Sequence, residues 1–140
     1  MEKLIITVAG DSRTSYPHNN LCPTQEDIPG VAQQYTGTTT ANVTSSWPTA
    51  TLTVRDATGT NTGRLVNAAG APLASTLQAM NSTAAFANVG ANPLTLATWA
   101  APVSNAASTL TFRQSIGAAE PLTAGGYAKT LTFTLTTPTP

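Results

Sequence analysis

The sequence predicts an all-β protein: a Greek-key, Ig-like β-sandwich of about 7–8 strands, with an N-terminal strand at residues 3–9 added to one sheet. Three observations carry that expectation. Residues 130–136 read TLTFTLT, with Leu131, Phe133 and Leu135 on one face and Thr130, Thr132, Thr134 and Thr136 on the other. Residues 108–114 (STLTFRQ) and 50–56 (ATLTVRD) repeat the pattern, setting Leu110 and Phe112, then Leu52 and Val54, against threonines and Arg113. Period-two alternation places one side-chain set against a core, and β-branched threonine suits the exposed side of a pleated sheet. Turn-forming residues punctuate these runs at Ser46-Trp47-Pro48, Asp56-Ala57-Thr58-Gly59, Ala69-Gly70-Ala71-Pro72, Asn92-Pro93 and Gly125-Gly126. Short strands spaced roughly 8–12 residues apart suggest two packed antiparallel sheets.

Taken in order, the elements begin with a strand over 3–9, where Leu4, Ile6 and Val8 alternate with polar or smaller residues. Residues 10–35 form a long connection without a clear strand. A helix beginning in 25–35 is interrupted by Pro29-Gly30. Strands follow over 37–46, 50–56 and 63–67, and residues 73–80 (LASTLQAM) suit one helical turn or a short strand. Further strands fall at 94–99, 108–114 and 130–136. The tail Thr137-Pro138-Thr139-Pro140 cannot continue a hydrogen-bonded ladder and ends the fold. The expected core comprises Leu52, Val54, Leu110, Phe112, Leu131, Phe133 and Leu135.

At 140 residues the chain suits one domain, 1–140, able to bury roughly two thirds of its unfolded surface. It is 41% hydrophobic and only 9% charged, with a formal net charge of +0. That balance lacks the basic footprint of a nucleic-acid binder or of a protein drawn to acidic membranes. One cysteine makes no internal disulfide and no cysteine-rich zinc site. No apolar run approaches the ~20 residues of a membrane helix. The start is no secretory signal, because Glu2 sits in the would-be basic region and Leu4–Val8 is too short an apolar core. The chain as given is expected to stay where it is made, although Thr-rich, Lys-poor β-proteins are common in secreted and cell-surface arrays.

The two ends differ in character. Residues 1–30 hold His18, Cys22, Glu2, Lys3, Asp11, Arg13, Glu26 and Asp27, whereas the remainder has only Arg55, Asp56, Arg64, Arg113, Glu120 and Lys129 as charged residues. The stretches TATLTVRDATGTNTGRLVNAAGAPLASTLQA and LTFRQSIGAAEPLTAGGYAKTLTFTLTTPTP look like a β-sandwich module of secreted actinobacterial surface proteins. The ending Gly-x-Tyr-x-x-Thr-Leu-Thr-x-Thr-Leu also resembles the close of cell-wall-associated WxL domains and of Ig-like pilin-type modules. The resemblance covers residues 36–140 and implies an extracellular accessory module without catalytic residues.

The opening MEKLIITVAG, with SRTSYPHNN and EDIPGVAQQY, is similar instead to the amino terminus of β-keto acid cleavage enzymes, which are zinc-dependent TIM barrels. It would correspond to their first strand, the loop after it and the start of the first helix. The family's metal-binding His-x-His pair has no counterpart in this sequence, so the activity does not carry over. The two resemblances together read as a chimera, 1–35 supplying a borrowed strand and long loop to the sandwich body of 36–140. A strand needs only alternation and an open edge to serve in either fold.

Three constellations invite chemistry. Gly10-Asp11-Ser12 after an apolar strand evokes the Gly-Asp-Ser hydrolases, but a serine nucleophile needs a base, and His18 lies only six residues on. A turn capped by Asp11 is the plainer reading. His18, Cys22, Glu26 and Asp27 lack the short regular spacing that tetrahedral zinc sites show, and Pro23 interrupts them. Trp47, Trp99, Tyr16, Tyr35 and Tyr127 could build a sugar-stacking platform, against packing roles in the core and at the sheet rim. Asn42-Val43-Thr44 and Asn81-Ser82-Thr83 match the glycosylation tripeptide, which recurs by chance.

The sequence therefore predicts no catalytic, cofactor-binding or metal site and no cofactor. The expected partner is a second copy, through pairing or swapping of strand 3–9, with Leu4, Ile6 and Val8 buried in a sheet. A glycan is the alternative partner, and neither nucleic acid nor membrane is expected.

Overall fold

The computed structural model describes the backbone of residues 2–9 and all of residues 32–120 and 126–138. The strands, in chain order, are β1 (Glu2–Ala9), β2 (Gln33–Ser45), β3 (Ala50–Arg55), β4 (Gln78–Met80), β5 (Phe86–Asn88), β6 (Leu94–Trp99), β7 (Val103–Ile116) and β8 (Ala128–Thr136). No helix occurs among the described residues. They form two antiparallel four-stranded sheets, ordered β1-β8-β3-β6 and β2-β7-β4-β5. Every connection between consecutive strands except the β4–β5 hairpin passes from one sheet to the other.

Alternation decides which face is buried. Leu52 and Val54 of β3, Leu96 of β6 and Leu131 and Phe133 of β8 meet Ala79 of β4 and Leu110 and Phe112 of β7 in one core. Phe112 and Phe133 touch across the two sheets edge-on, with ring centroids 6.2 Å apart. Of the expected core residues only Leu135 is half-buried, packed against the rim of that cluster. A smaller cluster of Leu65, Leu73 and Tyr127 holds the long β3–β4 connection against the approach to β8.

β1 pairs with β8 over its full length, from Glu2 opposite Leu135 to Ala9 opposite Ala128. Leu4 and Ile6 take register positions opposite Phe133 and Leu131, the core-facing residues of β8. The added N-terminal strand is thus present, at the edge of the sheet. The expected burial of Leu4, Ile6 and Val8 concerns side chains outside those described.

The structure corrects the strand map in four places. Residues 33–35 belong to β2 and not to the connection before it. The expected strand 63–67 reduces to isolated bridges of Val66 with Pro72 and Ala128. Gly63 turns the chain there at φ 74°, and the Asn67 side chain accepts from the Ala69 and Ala71 N–H groups to close a tight turn. Within 73–80 only Gln78–Met80 is strand. β5 was not expected, because its three residues lack a readable alternation. It is set up by Asn81, whose Oδ1 accepts from the Thr83 and Ala85 N–H groups and reverses the chain.

Candidate functional site

Two side-chain assemblies stand out from the hydroxyl-rich surface, one inside the sandwich and one on a sheet face. The first begins at the end of β3. Asp56, its side chain 0% exposed, lies 3.1 Å from the ammonium of Lys129 on β8. Asp56 Oδ1 accepts from the Thr58 N–H at 2.8 Å and from the Thr58 hydroxyl, while Oδ2 accepts from the Gly63 N–H at 2.5 Å. Lys129 Nζ also donates to the Thr60 and Asn61 carbonyls at 3.0 and 2.9 Å. One buried pair thus collects the loop 56–63 and fastens it to β8.

Burial pushes the Asp56 carboxyl up. The Thr58 hydroxyl, the Gly63 and Thr58 N–H groups and Lys129 together more than offset this, and hold it below the ordinary carboxylate value. The Asp56 oxygens and the Lys129 ammonium are thus engaged by one another and by the 56–63 loop, as in a structural ion pair. Nothing in it resembles a nucleophile beside a base.

The second assembly lies on the outer face of the β2-β7-β4-β5 sheet. Arg113 projects from β7 with its guanidinium carbon 4.0 Å from the ring centroid of Phe86 on β5. Its Nε and Nη2 donate to Gln78 Oε1 on β4 at 3.0 and 2.7 Å. Gln78 Nε2 in turn donates to Asn88 Oδ1 on β5 at 3.0 Å. Register extends this line to Thr36 on β2, opposite Arg113. The result is a polar row across all four strands, anchored by one cation.

The aromatic residues divide as follows. Trp47 is 36% exposed, on the turn between β2 and β3, where Ser45 Oγ accepts its N–H. Trp99 packs against the core, Tyr127 is buried beside Leu65 and Leu73, and Tyr35 is half-buried on β2. Trp99 and Tyr127 thus take packing roles, while Trp47 is the one large hydrophobic side chain exposed among the described residues. Tyr16, Asp11, Ser12, His18, Cys22, Glu26 and Asp27 lie outside the described residues. Among the described residues no three His, Cys, Asp or Glu side chains gather, and no helix is long and apolar enough to cross a membrane.

Sequence reasoning missed both assemblies, though each left a signal. Lys129 shares the parity of Leu131 and Phe133, which places it on the core face, where an ammonium requires a partner. Asp56 stands two residues before Thr58, the spacing at which an aspartate caps its own turn. Arg113 sits on the exposed face of its alternating run, as expected, but nothing local announces Phe86 or Gln78.

The chain matches no protein-family model and no curated protein. Among solved structures it is similar to the crystal structure of an antigen and type I fimbria protein of Burkholderia pseudomallei. The two share 18% sequence identity and a TM-score of 0.51, over 96% of this chain and 99% of that one. They share the all-β fold.

Proposed function

We propose that this chain is a non-catalytic structural module of a surface assembly, joined to further copies through β1. The observation that carries the reading is the β1–β8 pairing, which brings the first strand of the chain onto the last and covers the edge of β8. An uncovered edge is a template for another chain, and the same eight-residue ladder forms whether β1 comes from its own molecule or from a neighbour. The connection between β1 and β2 is long enough for either, at about 3.3 Å per extended residue. The likeness to a fimbrial antigen supports a place outside the cell, as do the threonine-rich sheets.

On this reading the chain is composite, with residues 1–35 recruited as a strand and linker for the sandwich body.

Light scattering on the full chain and on a truncation lacking residues 1–9 tests the reading. The full chain is expected as a dimer or larger species, and the truncation as aggregated or poorly folded. A truncation that stays soluble, equally heat-stable and unchanged in size would show that β1 contributes nothing to assembly. Turnover of short esters or β-keto acids that is lost in Ser12→Ala or His18→Ala would overturn the non-catalytic part.

A second reading, a carbohydrate- or wall-binding module, is favoured by Trp47, a large hydrophobic side chain held on a turn at the surface. Neutral glycans bound by the wild type and lost in Trp47→Ala would support it. A glycan array without a hit would remove it.

A further inference from the structure

Between β2 and the end of β8 the chain has four basic residues, Arg55, Arg64, Arg113 and Lys129, and two acidic ones, Asp56 and Glu120. Both acids are engaged internally. Asp56 holds Lys129, and Glu120 accepts from the Ala74 N–H at 2.6 Å and the Gly117 N–H at 3.1 Å. Arg113 is therefore a cation without a carboxylate partner among the described residues, in a chain that uses charge sparingly.

Its surroundings fix its geometry and leave its charge. Stacking on Phe86 and two hydrogen bonds to a neutral amide oxygen hold the planar guanidinium in place. The Nη1 edge has no protein partner among the described residues. A preorganised guanidinium of this kind fits a carboxylate, which it can grip with two parallel bonds. Around it the surface offers hydroxyls and amides: Thr36 on β2 to one side, Thr111 two residues back on β7 itself, and Gln78 and Asn88 to the other side. The row Thr36–Arg113–Gln78–Asn88 crosses three strand spacings, about 14 Å, a span suited to a few sugar rings.

We propose that this sheet face binds a carboxylated polysaccharide, with a uronate carboxylate on Arg113 and ring hydroxyls along the Thr36–Asn88 row. Charge complementarity selects an anion, and the backbone selects a sugar over an acidic peptide. A peptide adding as a strand would dock on the open edges at β2 or β5, whereas Arg113 stands inside the sheet on β7, paired with β2 and β4 on either side. The proposal deepens the carbohydrate reading, on a surface separate from Trp47.

Calorimetry on the full chain with polygalacturonate, its methyl-esterified form and polyglutamate tests it. The methyl ester keeps the sugar backbone without the charge, and polyglutamate keeps the charge without the sugar. Binding to polygalacturonate is expected to weaken about tenfold or more on esterification and in Arg113→Gln, the loss of one charged hydrogen-bonded contact. Arg55→Gln should bind like the wild type. Thermal unfolding of Arg113→Gln checks its fold, and the ester comparison needs no variant. Failure of the wild type to bind polygalacturonate, equal binding of the ester or of polyglutamate, or an equal loss in Arg55→Gln would each overturn the proposal. Neutral glycan binding abolished by Trp47→Ala and untouched by Arg113→Gln would sink this inference while leaving the carbohydrate reading standing.

Discussion

Lys129 Nζ and Asp56 Oδ2 meet at 3.1 Å with only 6% and 0% of their side chains exposed, joining β8 to the loop that leaves β3. Removing one partner leaves the other as a buried charge, which costs about 3–5 kcal/mol. Lys129→Met and Asp56→Ala are both expected to lower the urea midpoint by that amount of free energy. Asp56→Ala should lose more, because Thr58 and Gly63 lose their acceptor too. A midpoint within 1 kcal/mol of wild type for either, roughly an ordinary surface effect, would contradict the structural role.

The same pair sets a pH dependence. The Asp56 carboxyl titrates lower in the folded protein than in the unfolded chain, so the unfolded state binds the proton more tightly. Its contribution is therefore fully present above the unfolded value, about 4, and is lost as pH falls through the lower folded value. Urea titrations from pH 7 to pH 2.5 should show stability declining in that acid window. An Asp56→Asn profile as steep as the wild type would place the effect elsewhere.

Gly63 and Gly70 share left-handed backbone, φ 74° and 84°, but not surroundings. A Cβ at Gly70 meets open space, whereas one at Gly63 would collide with the Val89 carbonyl oxygen. Gly70→Ala should cost about 1–2 kcal/mol, the conformational penalty alone. Gly63→Ala should cost well beyond it, since either Val89 or the Asp56-bound turn must move. Equal unfolding midpoints for the two variants would refute the close approach.

Phe112 and Phe133, from opposite sheets, form an edge-on aromatic contact in the core. A double-mutant cycle with Phe112→Leu and Phe133→Leu should return a coupling of about 0.5–1.5 kcal/mol. Additivity within 0.3 kcal/mol, the roughly expected behaviour of independent sites, would deny that the sheets meet there.

The two tryptophans report separately on the surface and the rim of the core. Trp99→Phe should leave red-shifted emission from Trp47 that acrylamide quenches readily. Trp47→Phe should leave bluer, better-protected emission from Trp99. Reversed spectra would mean that the β2–β3 turn is packed and the β6 end is open.

Strands with a long alternating run were legible from the chain itself. TLTFTLT, STLTFRQ and ATLTVRD each lie within or overlap β8, β7 and β3, and their apolar residues form the core. LIITV and LTLATW likewise foretold β1 and β6. What could not be read is whatever depends on residues distant in sequence. Val66 looked like part of a strand, but Gly63 and Asn67 fold its neighbours into turns. β5 is only three residues long and exists because β4 is beside it. Arg113 was placed on the exposed face, yet its stacking on Phe86 depends on a hairpin that no local pattern announces.

The cross-sheet connections have a consequence for the life of the chain at the ribosome. β2 finds its main partner in β7, β3 finds one of its two in β8, and β1 must wait for β8. Little of the sandwich can form until β7 and β8 have been made, and pairings this remote in sequence close in milliseconds to seconds rather than microseconds. The newborn chain therefore passes through an interval in which its apolar strands are made and unpaired. The stretches TLTFTLT and LTLATW, β-prone, uncharged and free of proline and glycine, are the ones most open to pairing with another molecule during that interval.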